Sequence, residues 1–127
     1  MRSGLRLALV MLAAVIALGI GNIKVTKDIS RRYVGASQEL HALVQAEEWQ
    51  RAGETAREYH QRWKETLGWL QMLINHADGD EVSYALAQIM AGVEAREAAV
   101  CLEGCARMQE AAEHLYHRDA FTLGNIL

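Results

Sequence analysis

Between Leu7 and Ile23 the chain reads LALVMLAAVIALGIGNI, 17 residues without a charge and with Asn22 as the only polar side chain. No other feature restricts the fold as much. A stretch this apolar leaves water. As a helix rising about 1.5 Å per residue it reaches about 25 Å, close to what a hydrocarbon core of about 30 Å demands. Arg2 and Arg6 precede it, and their long stems can carry the charges to lipid headgroups. We expect an uncleaved, single-pass anchor over residues 1–23 followed by a helical domain over residues 24–127, with Leu7 to Ile23 in contact with membrane lipid. A cleaved signal peptide has the same basic start, and Ala17-Leu18-Gly19 or Gly19-Ile20-Gly21 offers small residues for cleavage. The alternative is therefore a secreted helical binding protein. The length of the apolar run, and its direct passage into helical sequence, favour the anchor. Lys24, Lys27, Arg31 and Arg32 follow the span, so the count of basic residues does not favour a cytoplasmic N-terminus. A tail of six residues ordinarily stays inside, and on that ground the helical domain is expected outside the cytoplasmic membrane.

What remains is roughly 100 residues, enough for one modest core but not for a deep one around a large cofactor. The chain has no proline, and good helix formers such as alanine, leucine, glutamate, glutamine and arginine dominate its middle. The formal net charge is −3; setting aside Arg2 and Arg6 leaves 11 basic against 16 acidic residues, about −5. A nucleic-acid module would show the opposite balance, so no nucleic-acid partner is expected.

Apolar residues recur at intervals of three and four, the helix period. Ile29, Tyr33, Ala36, Leu40 and Leu43 form a first stripe. A second runs through Trp49, Ala52, Ala56, Tyr59, Trp63, Thr66, Leu70 and Leu73, displaced from the first by about 200° of helix rotation, which predicts a junction around Ala46–Glu48. Val82, Leu86, Ile89 and Val93 form a third. The pattern restarts at Ala98, Cys101, Cys105, Met108, Ala112 and Leu115, predicting a break near Ala95–Glu97. His76-Ala77-Asp78-Gly79-Asp80 reads as a helix end, a glycine able to take positive φ and an aspartate N-cap. The fold class is all-α: a transmembrane helix followed by a small bundle of about four amphipathic helices. Glu47–Arg51, Glu58–Arg62 and Glu103–Arg107 have the favourable acid-first i,i+4 order, worth about 0.2–0.5 kcal/mol each. Internal glycines at positions 35, 53, 68, 92 and 104 weaken helices unless they permit close contacts. The apolar tail Phe121–Leu127 is expected to fold back onto the bundle.

The candidate sites are few. Trp49 and Trp63 lie on the second stripe and are expected in the core, each indole N–H needing a partner; Trp69 falls beside the stripe. A surface for a partner protein or the membrane interface is the functional alternative for all three. His114 and His117, with Glu110 and Glu113 one turn earlier, are the weak metal candidates, but the spacing is common and no HExxH, CxxC or CxxCH motif occurs. A metal-dependent or redox protein built on that fourth helix is the rival reading. His76 is expected at a helix C-terminus, facing the last carbonyls. Cys101 and Cys105 share the fourth stripe and read as core thiols, with a redox pair, a lipid attachment site or a disulfide as alternatives. Ser3, Ser30, Ser37 and Ser83 sit in no GxSxG context, and no glycine loop suits a phosphate. We expect no enzyme and no cofactor.

Taken together, the short N-terminal span, Trp49 after an acidic pair, Trp63 and Trp69 leading into Leu73-Ile74-Asn75-His76, a third helix after an acidic turn and the closing Asn125-Ile126-Leu127 resemble a bacterial family catalogued as domain of unknown function 4363. The resemblance covers nearly the whole chain, which is richer in alanine and poorer in lysine and glutamate than usual members. It implies a membrane-anchored helical domain in a bacterial cell membrane, without catalytic residues to carry over. Trp49, Trp63, His76 and Asn125 are the positions it singles out. The expected role is a structural or protein-interaction module beside another membrane protein or a second copy of the chain.

Overall fold

The computed structural model describes the backbone of residues 2–126 and the side chains of residues 2–117. Among these it holds four helices and no strand: α1 (Arg2–Gln45), α2 (Trp49–Leu70), α3 (His76–Ala95) and α4 (Ala98–Ile126). The apolar run expected to span a membrane and the first bundle helix are one element. α1 passes through the 23/24 boundary without a break, and its first buried residues are Thr26, Ile29 and Ser30. The bundle therefore has four helices in all, the first continuous with the span. Neighbouring helices are antiparallel, and each packs on two others in a closed ring: α1 on α4 and α2, α3 on α4 and α2.

The stripes become the core. Tyr33, Ala36, Leu40, Ala52, Ala56, Trp63, Leu70, Val82, Leu86, Ile89, Cys101, Met108 and Ala112 are all buried. Its two halves differ. Toward the span, Trp63 is fully enclosed and meets Tyr33 edge-to-face at 4.9 Å, while Tyr59 meets Tyr33 at 6.1 Å. Away from the span the helices close up on small residues. A Cβ on Gly92 would stand 2.7 Å from Cys101 Sγ, and one on Gly104 2.8 Å from Ile89 Cγ1. Glycine at these two positions is what lets α3 and α4 approach so closely. The other internal glycines differ: Gly35 and Gly68 face open space.

Both junctions read as phase jumps are present, and they share a construction. After α1, Glu48 N–H donates to Leu43 O and Glu47 N–H to Val44 O; after α3, Glu97 N–H donates to Gly92 O and Arg96 N–H to Val93 O. These are paired six-to-one and five-to-two bonds that satisfy the last carbonyls of a helix. The left-handed residue each turn requires is Glu47 (φ 57°) in one and Arg96 (φ 54°) in the other, where glycine is usual. The sequences match too: Val44-Gln45-Ala46-Glu47-Glu48 and Val93-Glu94-Ala95-Arg96-Glu97.

The third junction departs from expectation. α2 stops at Leu70, and α3 begins at His76 with Asn75 as its N-cap, Ala77 N–H donating to Asn75 Oδ1 at 3.1 Å. Gly79 does not turn the chain and Asp80 does not cap it; both lie inside α3. Asn75 wins because its amide oxygen reaches the orphan N–H groups of the first turn. Gly79 instead packs beneath Leu67, whose flexible Cδ1 end would have to turn aside for a Cβ there, at 2.6 Å. His76 consequently opens a helix instead of closing one. Leu73, assigned to the second stripe, is in the loop, and Ala98, assigned to the fourth, is exposed.

Two of the three ion pairs are replaced. Arg62 bonds Glu58 at 2.7 Å as expected. Arg51 takes Glu48 at 2.8 Å, because Glu47 is swung into the left-handed turn. Arg107 turns across to α3, reaching Gln88 at 3.0 Å and Glu81 at 3.7 Å. These are exposed pairs of small energetic weight. The expected fold-back of Phe121–Leu127, and with it Asn125, lies outside the described side chains.

Candidate functional site

Trp63 is the best-anchored aromatic. Its indole Nε1 donates to Ser83 Oγ at 2.8 Å, and Ser83 in turn donates to Gly79 O at 3.2 Å. This chain ties α2 to the first turns of α3 and explains a serine beside the third stripe, a partner that helical periodicity alone does not reveal. The buried indole needed an acceptor, and that need was the available signal. Beneath it, the Tyr33 hydroxyl is enclosed and makes no hydrogen bond, although Thr66 lies near enough to influence its ionisation. Burial pushes the Tyr33 phenol up from its ordinary range. Tyr59 OH donates to Glu39 Oε2 at 2.7 Å; partial burial first, then this carboxylate, pushes its pKa up to about 12.

Trp49 is half-buried at the end of the bundle away from the span, where it lines an open groove between α2 and α3 with Gly53, Arg57, Met90, Val93 and Arg96. Trp69 is on the opposite end and 44 % exposed. The three tryptophans, though on one helix, therefore share no site. His76 is exposed at the first residue of α3, where a cation would oppose the helix dipole.

The metal candidates do not converge. Glu110, Glu113, His114 and His117 are exposed on α4, and no three His, Cys, Asp or Glu side chains among the described residues stand where they could hold an ion. His114 borders a shallow depression with Glu81, Arg107 and Glu110, and the His117 ring leans on Tyr116 at 5.6 Å. Both cysteines are free and buried. Burial raises the Cys101 thiol and pushes Cys105 up to about 11, while Cys101 Sγ contacts Ile89 O at 3.7 Å. Thiols held protonated in a core are poor nucleophiles. As placed, they fill space between α3 and α4.

One cluster escaped the reading of the sequence. Met72 is 83 % and Leu73 43 % exposed beside Trp69, so the loop between α2 and α3 carries apolar side chains outward. Leu73 lines a mostly apolar groove with Ala14, Ala17, Leu18, Gly21, Asn22 and Val25 of α1. Its spacing from Leu70 mimics core periodicity, so the helical period alone places it on the stripe.

A family model described as a domain of unknown function (DUF4363) matches residues 20–126. No curated protein and no solved structure matches the chain.

Proposed function

The chain belongs to the family described as a domain of unknown function (DUF4363), and from that premise we propose a single-pass membrane protein whose bundle is a structural or protein-interaction module, not an enzyme. The observation carrying this reading is the continuity of α1. Leu5, Leu7, Leu9, Val10, Leu12, Val15, Leu18 and Ile20 are exposed on a helix whose later residues, from Thr26 onward, enter the core of the bundle. α1 is long and apolar enough to cross a membrane. Lipid is the medium that would cover those side chains at no cost in unsatisfied backbone. A helix shared between anchor and core fixes the bundle's height over the bilayer. That suits a module presenting a surface to a neighbour, either another membrane protein or a second copy. We place the bundle on the extracytoplasmic side of a bacterial membrane.

Carbonate extraction of membranes from cells making the full chain, followed by intact-mass measurement, tests the anchor. The expected result is an uncleaved chain in the membrane pellet. A soluble chain that has lost the segment up to Gly19 or Gly21 overturns it in favour of a secreted binder, whose core, enclosed from Thr26, would survive cleavage. A pull-down from detergent extract at native expression is expected to recover a protein partner; recovery of the monomer alone counts against the interaction role. Stoichiometric zinc or iron lost on His114→Ala would overturn the non-enzymatic reading.

A further inference from the structure

The loop joining α2 to α3 stands beside the apolar part of α1, on the span's side of Lys24. Leu73 shares a groove with Ala14, Ala17, Leu18, Gly21, Asn22 and Val25. On a helix rising about 1.5 Å per residue all of these but Val25 lie roughly 3–15 Å below Lys24, a range that includes the 5–10 Å to which interfacial apolar segments ordinarily sink. If residues 7–23 occupy lipid, a loop at their height meets lipid as well. We propose that Trp69, Met72 and Leu73 form a second, interfacial membrane contact that docks the bundle against the bilayer beside its own anchor; this rests on the membrane-anchor reading.

Three independent features support it. From Thr66 to Asn75 the sequence TLGWLQMLIN carries no charge over ten positions, whereas the turns at the other end hold Glu47, Glu48, Arg96 and Glu97. The three apolar side chains are exposed as neighbours, and Met72 at 83 % exposure has nothing of the bundle to cover it. A patch of this kind on a water-facing loop marks a contact surface, and tryptophan favours the level where headgroups meet acyl chains. Finally, Lys24, Lys27, Arg31 and Arg32 on α1 begin where the apolar run stops, at the height expected of headgroups. Asp28 stands among these basic residues on α1, and Asp78 and Asp80 open α3 just after the loop, so the contact is driven by apolar burial and not by net positive charge.

Nitroxide accessibility in the full chain, reconstituted in phosphatidylcholine–phosphatidylglycerol vesicles, tests the proposal. Single labels go on Met72→Cys, on Gln50→Cys at the opposite end and on Ala13→Cys within the span; the buried native thiols escape labelling at neutral pH. The expected result is preferential collision with oxygen over a water-soluble nickel chelate at Met72→Cys and Ala13→Cys, and the reverse at Gln50→Cys. If Ala13→Cys is lipid-exposed while Met72→Cys is as nickel-accessible as Gln50→Cys, the docking proposal is overturned and the anchor stands. If Ala13→Cys is itself in water, the anchor reading fails first. Spin–spin broadening at Met72→Cys with the label out of lipid would assign the loop to a second copy, again overturning the proposal.

Discussion

At the end of the bundle away from the span, α1 passes to α2 through Ala46–Glu48 and α3 to α4 through Arg96 and Glu97; at the other end α2 and α3 are joined by the five residues Gln71–Asn75. The first two turns are short, charged and bonded carbonyl by carbonyl, at the expense of two non-glycine residues with positive φ. The third is longer, uncharged and studded with exposed apolar side chains. Water solvates the first kind of turn and penalises the second. The difference teaches that exposed apolar side chains gather at the end nearest α1's apolar run; under the membrane proposal the two ends meet different solvents.

The packing beneath the ends differs in the same sense, and substitutions can break or sharpen the contrast. Trp63→Ala empties the aromatic half of the core and should lower stability by about 3–5 kcal/mol, read from denaturant melts of the full chain in detergent. If the loss is under about 1 kcal/mol, the aromatic cluster does not organise the span-side half. Next comes Gly104→Ala, expected to cost about 1–3 kcal/mol because its methyl runs into Ile89 and the Ala85 carbonyl. The same change at Gly68, which faces open space, should gain about 0.5–1 kcal/mol. Opposite signs for one chemical change would confirm that α3 and α4 approach closely at Gly104 while Gly68 faces open space.

Smaller effects belong to the turns. Glu47→Gly and Arg96→Gly should each raise stability by about 0.5–1 kcal/mol by relieving the left-handed residue, and because the turns are alike the gains should be similar and additive. A loss in thermal melts would mean that the side chains do more than tolerate the turn. The weakest expected effect is on pH. Tyr59 has its folded pKa raised from 10.0 to about 12, so its contribution is fully present below pH 10 and is lost as pH rises toward 12. Tyr59→Phe should flatten the alkaline fall in stability over that window; an unchanged slope would remove the Glu39 bond from the account.

Much of the fold was legible from helical period alone. Ile29, Tyr33, Leu40, Trp63, Leu86, Ile89 and Met108 are buried where the stripes put them, and the phase jumps locate both charged turns. The uncharged loop misled for a physical reason: periodicity records which residues avoid water, not what covers them, so Leu73 next to α1's apolar run looks like core. Gly79 misled because a glycine packed inside a helix against Leu67 and a glycine that turns a chain are identical in sequence. Asn75 was the available cue, standing as a side-chain cap just before the periodic residues of α3. The candidate sites were legible only as a list. Among the described residues Glu110, Glu113, His114 and His117 are exposed and do not gather into a group of three ligands, while Cys101 and Cys105 are buried, and neither placement can be read from spacing alone.

The central claim is that one uninterrupted helix carries the span into the core of the bundle. Electron–electron distance measurement between nitroxides on Ala13→Cys and Gly35→Cys, in the full chain in lipid nanodiscs, tests it most directly. On a continuous helix these exposed positions, 22 residues apart, lie about 33 Å from one another. A single narrow distribution near that value is the predicted result. A broad or markedly shorter distribution would place a hinge between anchor and bundle and contradict the account.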